Sequence, residues 1–198
     1  MRSQRCLYCD KPITRYSLYH LFIEEDELCP DCRNRMKLKI RKFRTEGLEC
    51  LSLYEYDSLF RTLLLQYKEC YDEALKDVFL YRIDILIRLK YPGYHILYVP
   101  SSDRKRSKRG FDHLRLIFGP LGFKEVKGLK MKGELIQEGK SLNERKKMIG
   151  NYFYEGPFVR KVLIVDDIST TGSSLLAVKK AMEGHCDRIR ALVLSKVF

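Results

Sequence analysis

Val162–Ser174, VLIVDDISTTGSS, passes within thirteen residues from an unbroken apolar run to paired carboxylates and then to hydroxyls around one glycine. Val162, Leu163, Ile164 and Val165 show no alternation, the mark of a strand covered on both faces of a parallel sheet. Asp166 and Asp167 are expected at its carboxyl end. Ser169, Thr170, Thr171, Gly172, Ser173 and Ser174 form the loop, and Leu175, Leu176, Val178 and Met182 repeat at helical spacing. The order is strand, loop, helix, and the fold class it predicts is α/β.

In open α/β sheets, ligands bind at the carboxyl ends of strands, and a loop of small residues opening a helix presents N–H groups and hydroxyls to a phosphate. Gly172 permits close approach or a positive φ. Carboxylates repel that phosphate, so Asp166 and Asp167 should serve sugar hydroxyls, Mg²⁺, or both. A phosphorylated sugar satisfies all the parts. A receiver domain carries its acidic pair near its start, whereas here 31 residues follow Asp167. An ATPase needs a G-x-x-x-x-G-K-[ST] loop upstream, and the nearest stretch, Gly133–Ser141, has five residues between its glycines.

DDISTTGSS resembles the phosphoribosyl pyrophosphate signature of type I phosphoribosyltransferases. The order of a Cys-rich start, a Val-Pro segment leading to Arg-Gly-Phe, Gln137 then Arg145, and this signature resembles the ComF/ComFC competence proteins. The resemblance implies a parallel sheet flanked by helices. It implies that Asp166 and Asp167 are catalytic and hold the ribose hydroxyls, and that Thr170, Thr171, Gly172, Ser173 and Ser174 wrap the 5′-phosphate. Ser101, Ser102 and Asp103 would face pyrophosphate, with Mg²⁺ bound alongside. It further implies a role in natural transformation, passing single-stranded DNA across the cytoplasmic membrane, with a ComFA-type helicase as partner. The alternative is an active phosphoribosyltransferase of nucleotide salvage or gluconate utilisation, and no base pocket or acceptor is legible to decide whether turnover occurs. The chain departs from the family at Asp112-His113, at Met148, and after Tyr67-Lys68, where Glu-Cys-Tyr-Asp follows. Lys68 is therefore given no role, and His113 is expected to be structural or solvent-facing, without a partner.

Cys6 and Cys9, then Cys29 and Cys32, form two C-x₂-C pairs separated by 19 residues. That spacing fits a four-cysteine Zn²⁺ site, closed and structural because four thiolates leave no open position. Iron is the rival metal. So short a segment cannot bury its own core, and the metal should supply much of its folding energy. Cys50, Cys70 and Cys186 are read as core thiols.

Lys and Arg total 38 against 26 acidic residues, a formal charge of +12, which favours anionic partners. Arg104, Lys105, Arg106, Lys108 and Arg109 put five cations in six positions before Gly110-Phe111. They suit either pyrophosphate, stabilised as a leaving group, or nucleic-acid phosphates. A solvated loop is the plain structural reading.

We divide the chain near residue 45, into a metal module (1–45) and a phosphoribosyltransferase-like domain (46–198). Between them and the later motifs, Tyr56–Lys68 predicts a helix capped by Asp57, and Leu75 to Leu89 predicts a longer helix ending before Pro92-Gly93. Ile96–Pro100 reads as the first core strand, and Ser141–Glu144 as a capping box. No apolar run spans a membrane and the start, MRSQRCLYCD, carries no signal-like segment, so a cytoplasmic protein is expected, at most associated with the membrane's inner face.

Overall fold

The computed structural model describes residues 5–13, 26–100, 110–131 and 152–197. In chain order its main elements are α1 (Pro30–Arg35), β1 (Leu38–Thr45), β2 (Leu48–Glu55), α2 (Ser58–Glu69), a 3₁₀ segment (Glu73–Val78), α3 (Asp84–Lys90) and β3 (His95–Tyr98). There follow α4 (His113–Phe118), β4 (Leu129–Met131), β5 (Tyr152–Tyr154), β6 (Lys161–Ser169), α5 (Ser173–Ala181) and β7 (Arg188–Lys196).

Five strands form one sheet in the order β1-β2-β7-β6-β3, while β4 and β5 pair separately. β2, β7, β6 and β3 run parallel, and β1 closes one edge antiparallel to β2. Val162–Val165 and Ala191–Leu194 are all 0% exposed. Successive strand residues face opposite sides, so the centre of the sheet is covered on both faces. This is the parallel α/β class that the apolar run predicts.

Two features of the sheet differ from the sequence reading. The segment at Ile96 is β3, an edge strand of four residues, and β1 and β2 precede it. β1 escapes an apolar-pattern search because its exposed face carries cations; what makes it a strand is its pairing to β2 across a turn at Glu46-Gly47, both with positive φ. The division proposed near residue 45 falls at that turn, with β1 on one side of it and β2, in the same sheet, on the other. β6 also continues beyond its apolar run, through both aspartates to Ser169, because β7 keeps pairing with it there.

α2 matches its prediction closely: Asp57 Oδ1 accepts from Phe60 N at 2.9 Å, and Leu59, Phe60, Leu63, Leu64 and Tyr67 are buried. The single long helix expected from Leu75 to Leu89 is instead a 3₁₀ segment and α3, separated where Arg82 takes a φ of +60°. That break resets the helical phase. Ile87 is buried in α3, whereas Leu86 and Leu89 point outward at 58% and 74% exposure. Among the described residues no helix is long and apolar enough to cross a membrane.

Candidate functional site

β3 and β6 end unequally, and this opens the site. Their last paired residues are Tyr98 and Val165, so Asp166 and Asp167 lie one and two residues beyond the end of β3, on a stretch still paired with β7. α2 and α4 deliver two basic groups to this edge. Lys68 Nζ stands 2.6 Å from Asp167 Oδ2, and His113 Nε2 stands 2.7 Å from the same oxygen. The remaining oxygen, Oδ1, accepts from Ile168 N at 2.7 Å. Asp167 is thus engaged on both oxygens and only 6% exposed.

Burial alone would raise the Asp167 carboxyl, but the His113 hydrogen bond and the Lys68 charge hold it well below the usual range. The opposite holds next door. Half-buried Asp166 accepts from Asp167 N through Oδ1 at 2.9 Å, and Oδ2 has no partner among the described residues. Burial first, then the Asp167 charge, raise its carboxyl. Two adjacent aspartates therefore differ: Asp167 ties three elements together, and Asp166 offers an uncommitted oxygen.

Gly172 caps α5 with a φ of +82°, and a Cβ there would lie 2.9 Å from Thr45 Oγ1. Both the backbone and the closeness of β1 require glycine. Within the loop, Thr171 Oγ1 contacts Ser173 Oγ at 3.0 Å and accepts from Ser173 N at 3.3 Å. Lys196, from the end of β7, donates to the Thr170 carbonyl. Ser173 N is taken by Thr171 Oγ1, and the next N–H groups of α5 follow beside these hydroxyls, an arrangement suited to an anion.

His113 takes the structural of its two expected places, and has the partner that the sequence does not show. It is 4% exposed, and its backbone carbonyl accepts from Tyr67 Oη at 2.9 Å. Its position at the start of α4, capped by Asp112, turns the ring inward; spacing alone could not show this. Lys68 likewise has a partner where none was expected. One sequence hint is its place beside Tyr67 at the end of an apolar helix. Ser101, Ser102, Asp103, the cations from Arg104 to Arg109, Gln137, Arg145, Met148 and the capping box at Ser141 lie outside the described residues.

Cys6, Cys9, Cys29 and Cys32 bring their sulfurs within 4.8 Å of one another, and Cys9 Sγ lies 3.7 Å from Cys29 Sγ. A tetrahedron with metal–sulfur bonds near 2.3 Å has sulfurs about 3.8 Å apart, so the set fits a four-thiolate ion. Burial would raise Cys6, yet backbone N–H groups of Cys29, Cys9 and Tyr8 point at its sulfur and bring it below its ordinary value. Such N–H groups also suit a ligated thiolate. This cluster is anchored to the rest of the chain by Arg33, which holds Asp26 at 2.6 Å and donates to Val78 O at 2.9 Å. Of the other cysteines, Cys50 is buried and Cys186 half-buried, but Cys70 is exposed at the end of α2 and is no core residue.

Fold and site together define a parallel α/β protein with a carboxylate and hydroxyl loop at a strand end and a four-cysteine cluster beside it. We found no protein-family model that matches the chain. It is similar, at 24% identity over 186 residues, to the competence protein ComFC of Streptococcus pneumoniae, covering 90% of this chain and 80% of that protein. The similarity to ComFC is the one its motif order carries. Solved structures similar to it include an adenine phosphoribosyltransferase, at 19% identity and a TM-score of 0.37. Another is the Saccharomyces cerevisiae adenine phosphoribosyltransferase complexed with an imino-altritol bisphosphate and adenine, at 17% identity and a TM-score of 0.36. Each match covers 84% of this chain and 89% of the other.

Proposed function

We propose that this protein acts in natural transformation, as a ComFC-like component that handles single-stranded DNA during uptake, and that its β6–α5 loop binds phosphoribosyl pyrophosphate. The observation that carries the ligand assignment is the pairing of an uncommitted Asp166 oxygen with the Thr170–Ser174 loop at one strand end. In this reading the loop takes the 5′-phosphate, and Asp166 takes a ribose hydroxyl or its Mg²⁺. Asp167 keeps the floor of the site rigid through Lys68 and His113. Where phosphoribosyl transfer occurs, the charge developing at the sugar's anomeric carbon would be met by these carboxylates, as electrostatic stabilisation requires.

The similarity to ComFC supports the transformation role. The charge of +12 supports an anionic polymer as partner. A ComFA-type helicase and the inner face of the cytoplasmic membrane are the surroundings that role implies. Cys6, Cys9, Cys29 and Cys32 would hold one Zn²⁺ within a 1–45 module, leaving residues 46–198 as the ligand-binding domain. The test is calorimetry with Mg²⁺ and phosphoribosyl pyrophosphate. Asp166→Asn should lose binding while remaining folded, and unchanged affinity would refute the assignment.

A further inference from the structure

Away from the aspartates, a cavity of about 540 Å³ opens between the β1–β2 hairpin, the end of α3 and the start of β7. Its rim is cationic. Lys42 and Arg44 come from β1, Lys90 from the end of α3, and Arg190 from β7, with Glu49 as the one carboxylate among the lining residues. Glu49 is shared between two of the cations, 3.1 Å from Arg44 and 2.9 Å from Arg190. Lys42 and Lys90 are exposed and have no ionic partner among the described residues. Buried Leu51 and Tyr91 back the cavity, and half-buried Phe43 borders it.

Four cations around one carboxylate beside a half-buried ring match a ligand that repeats phosphates and planar or sugar groups. Small phosphates would need only the rim. β1 also carries exposed Leu38 and Ile40, apolar surface that a free phosphate would not use. The cavity adjoins the sugar-phosphate loop: Lys196 Nζ lies 5.8 Å from the centre of the Phe43 ring and reaches the Thr170 carbonyl.

We propose that this cavity is a single-stranded nucleic-acid subsite, with backbone phosphates on Lys42, Lys90, Arg44 and Arg190. Phe43, half-buried between Lys42 and Arg44 on the edge strand, supplies a ring for a base. The inference rests on the nucleic-acid part of the proposed function and adds to it a location outside the 104–109 run.

The experiment measures binding of a fluorescent oligothymidylate to the full, metal-loaded chain by anisotropy across a salt series. Lys42→Glu with Lys90→Glu should weaken binding by about tenfold or more and reduce the salt slope by about 1.4, from two phosphate contacts on a single strand. Lys42→Met with Lys90→Met should do so to a smaller degree. Arg61→Glu with Lys124→Glu, both at exposed positions, matches the charge change elsewhere and should leave affinity nearly intact. Equal weakening in both charge-reversed pairs would mean a bulk charge effect and overturn the subsite. Intact oligonucleotide binding with weakened tripolyphosphate binding would make it a site for small phosphates, and also overturn it. If the unaltered chain binds no oligonucleotide, the nucleic-acid reading of the protein itself fails; if it binds and the variants bind equally, only this subsite does.

Discussion

Asp166 and Asp167 are neighbours of identical chemistry, and the structure requires them to fail differently. Replacing Asp167 by Asn removes the charge that Lys68 and His113 share while keeping the shape. Lys68 is 19% exposed and Asp167 9% in their side chains, so the ammonium left behind cannot turn fully to water. Removing one partner of a buried pair costs about 3–5 kcal/mol, and Asn retains an acceptor, which places this case near 3 kcal/mol. For a chain of 198 residues each kcal/mol moves Tm by about 2–4 °C, so Asp167→Asn should melt about 6–12 °C lower. Asp166→Asn leaves no cation stranded and should stay within about 0.5 kcal/mol of the parent.

The pH dependence carries the same asymmetry. The folded pKa of Asp167 is depressed, so its stabilisation is complete above the unfolded value near 3.9 and is lost as pH falls through the folded one. Asp166 is shifted the other way, so what it contributes is present below its unfolded pKa and lost as pH rises through its folded pKa. Urea unfolding of the parent should therefore weaken on acidification below about pH 4, and Asp167→Asn should flatten that limb. Stability of Asp167→Asn equal to the parent, with an unaltered acid limb, would refute the network. Loss of stability in Asp166→Asn instead would exchange the two roles.

Gly172→Ala forces a β-carbon against Thr45 and a left-handed backbone, costing about 1–2 kcal/mol for the conformation alone, and should weaken phosphate-ligand affinity in calorimetry. Metal analysis of gently purified protein should find about one Zn²⁺ per chain, and either iron or no metal would overturn the four-cysteine assignment. Chelation should expose the first residues to proteolysis before the sheet, since the metal supplies much of that segment's folding energy. Simultaneous loss of both would show that the cluster does not fold as a separate metal-dependent unit.

What the sequence discloses here depends on whether a signal is local. Val162–Ser174 could be read because its strand, loop and helix follow one another, and each is governed by periodicity or by one glycine. The cysteines could be read because metal ligation imposes fixed short spacings. His113 and Lys68 could not, since they lie 54 and 99 residues from Asp167 and meet it only once α2 and α4 are packed. β1 was missed because one face of an edge strand follows solvent rather than core, and its cations look like a linker. The apolar residues of α3 misled for a related reason: a periodicity was continued across Arg82, where the backbone had changed its phase.

α2 connects the small cysteine segment with the aspartates that end β6. Its buried face, from Leu59 to Tyr67, fixes it on the core. Near its end Gln66 reaches Leu7 O, between Cys6 and Cys9, at 3.4 Å, and two residues later Lys68 reaches Asp167 at 2.6 Å. The same helical turn thus contacts both the cysteine segment and Asp167. Tyr67, between them, is wholly buried and donates to the carbonyl of His113, Asp167's other partner. The Gln66 contact at 3.4 Å is the longest of these bonds and the Tyr67 bond the most enclosed. The helix is therefore held chiefly by its core face and by Asp167. The cysteine segment is laid against an end that is already fixed, with Arg33 supplying its firmer attachment.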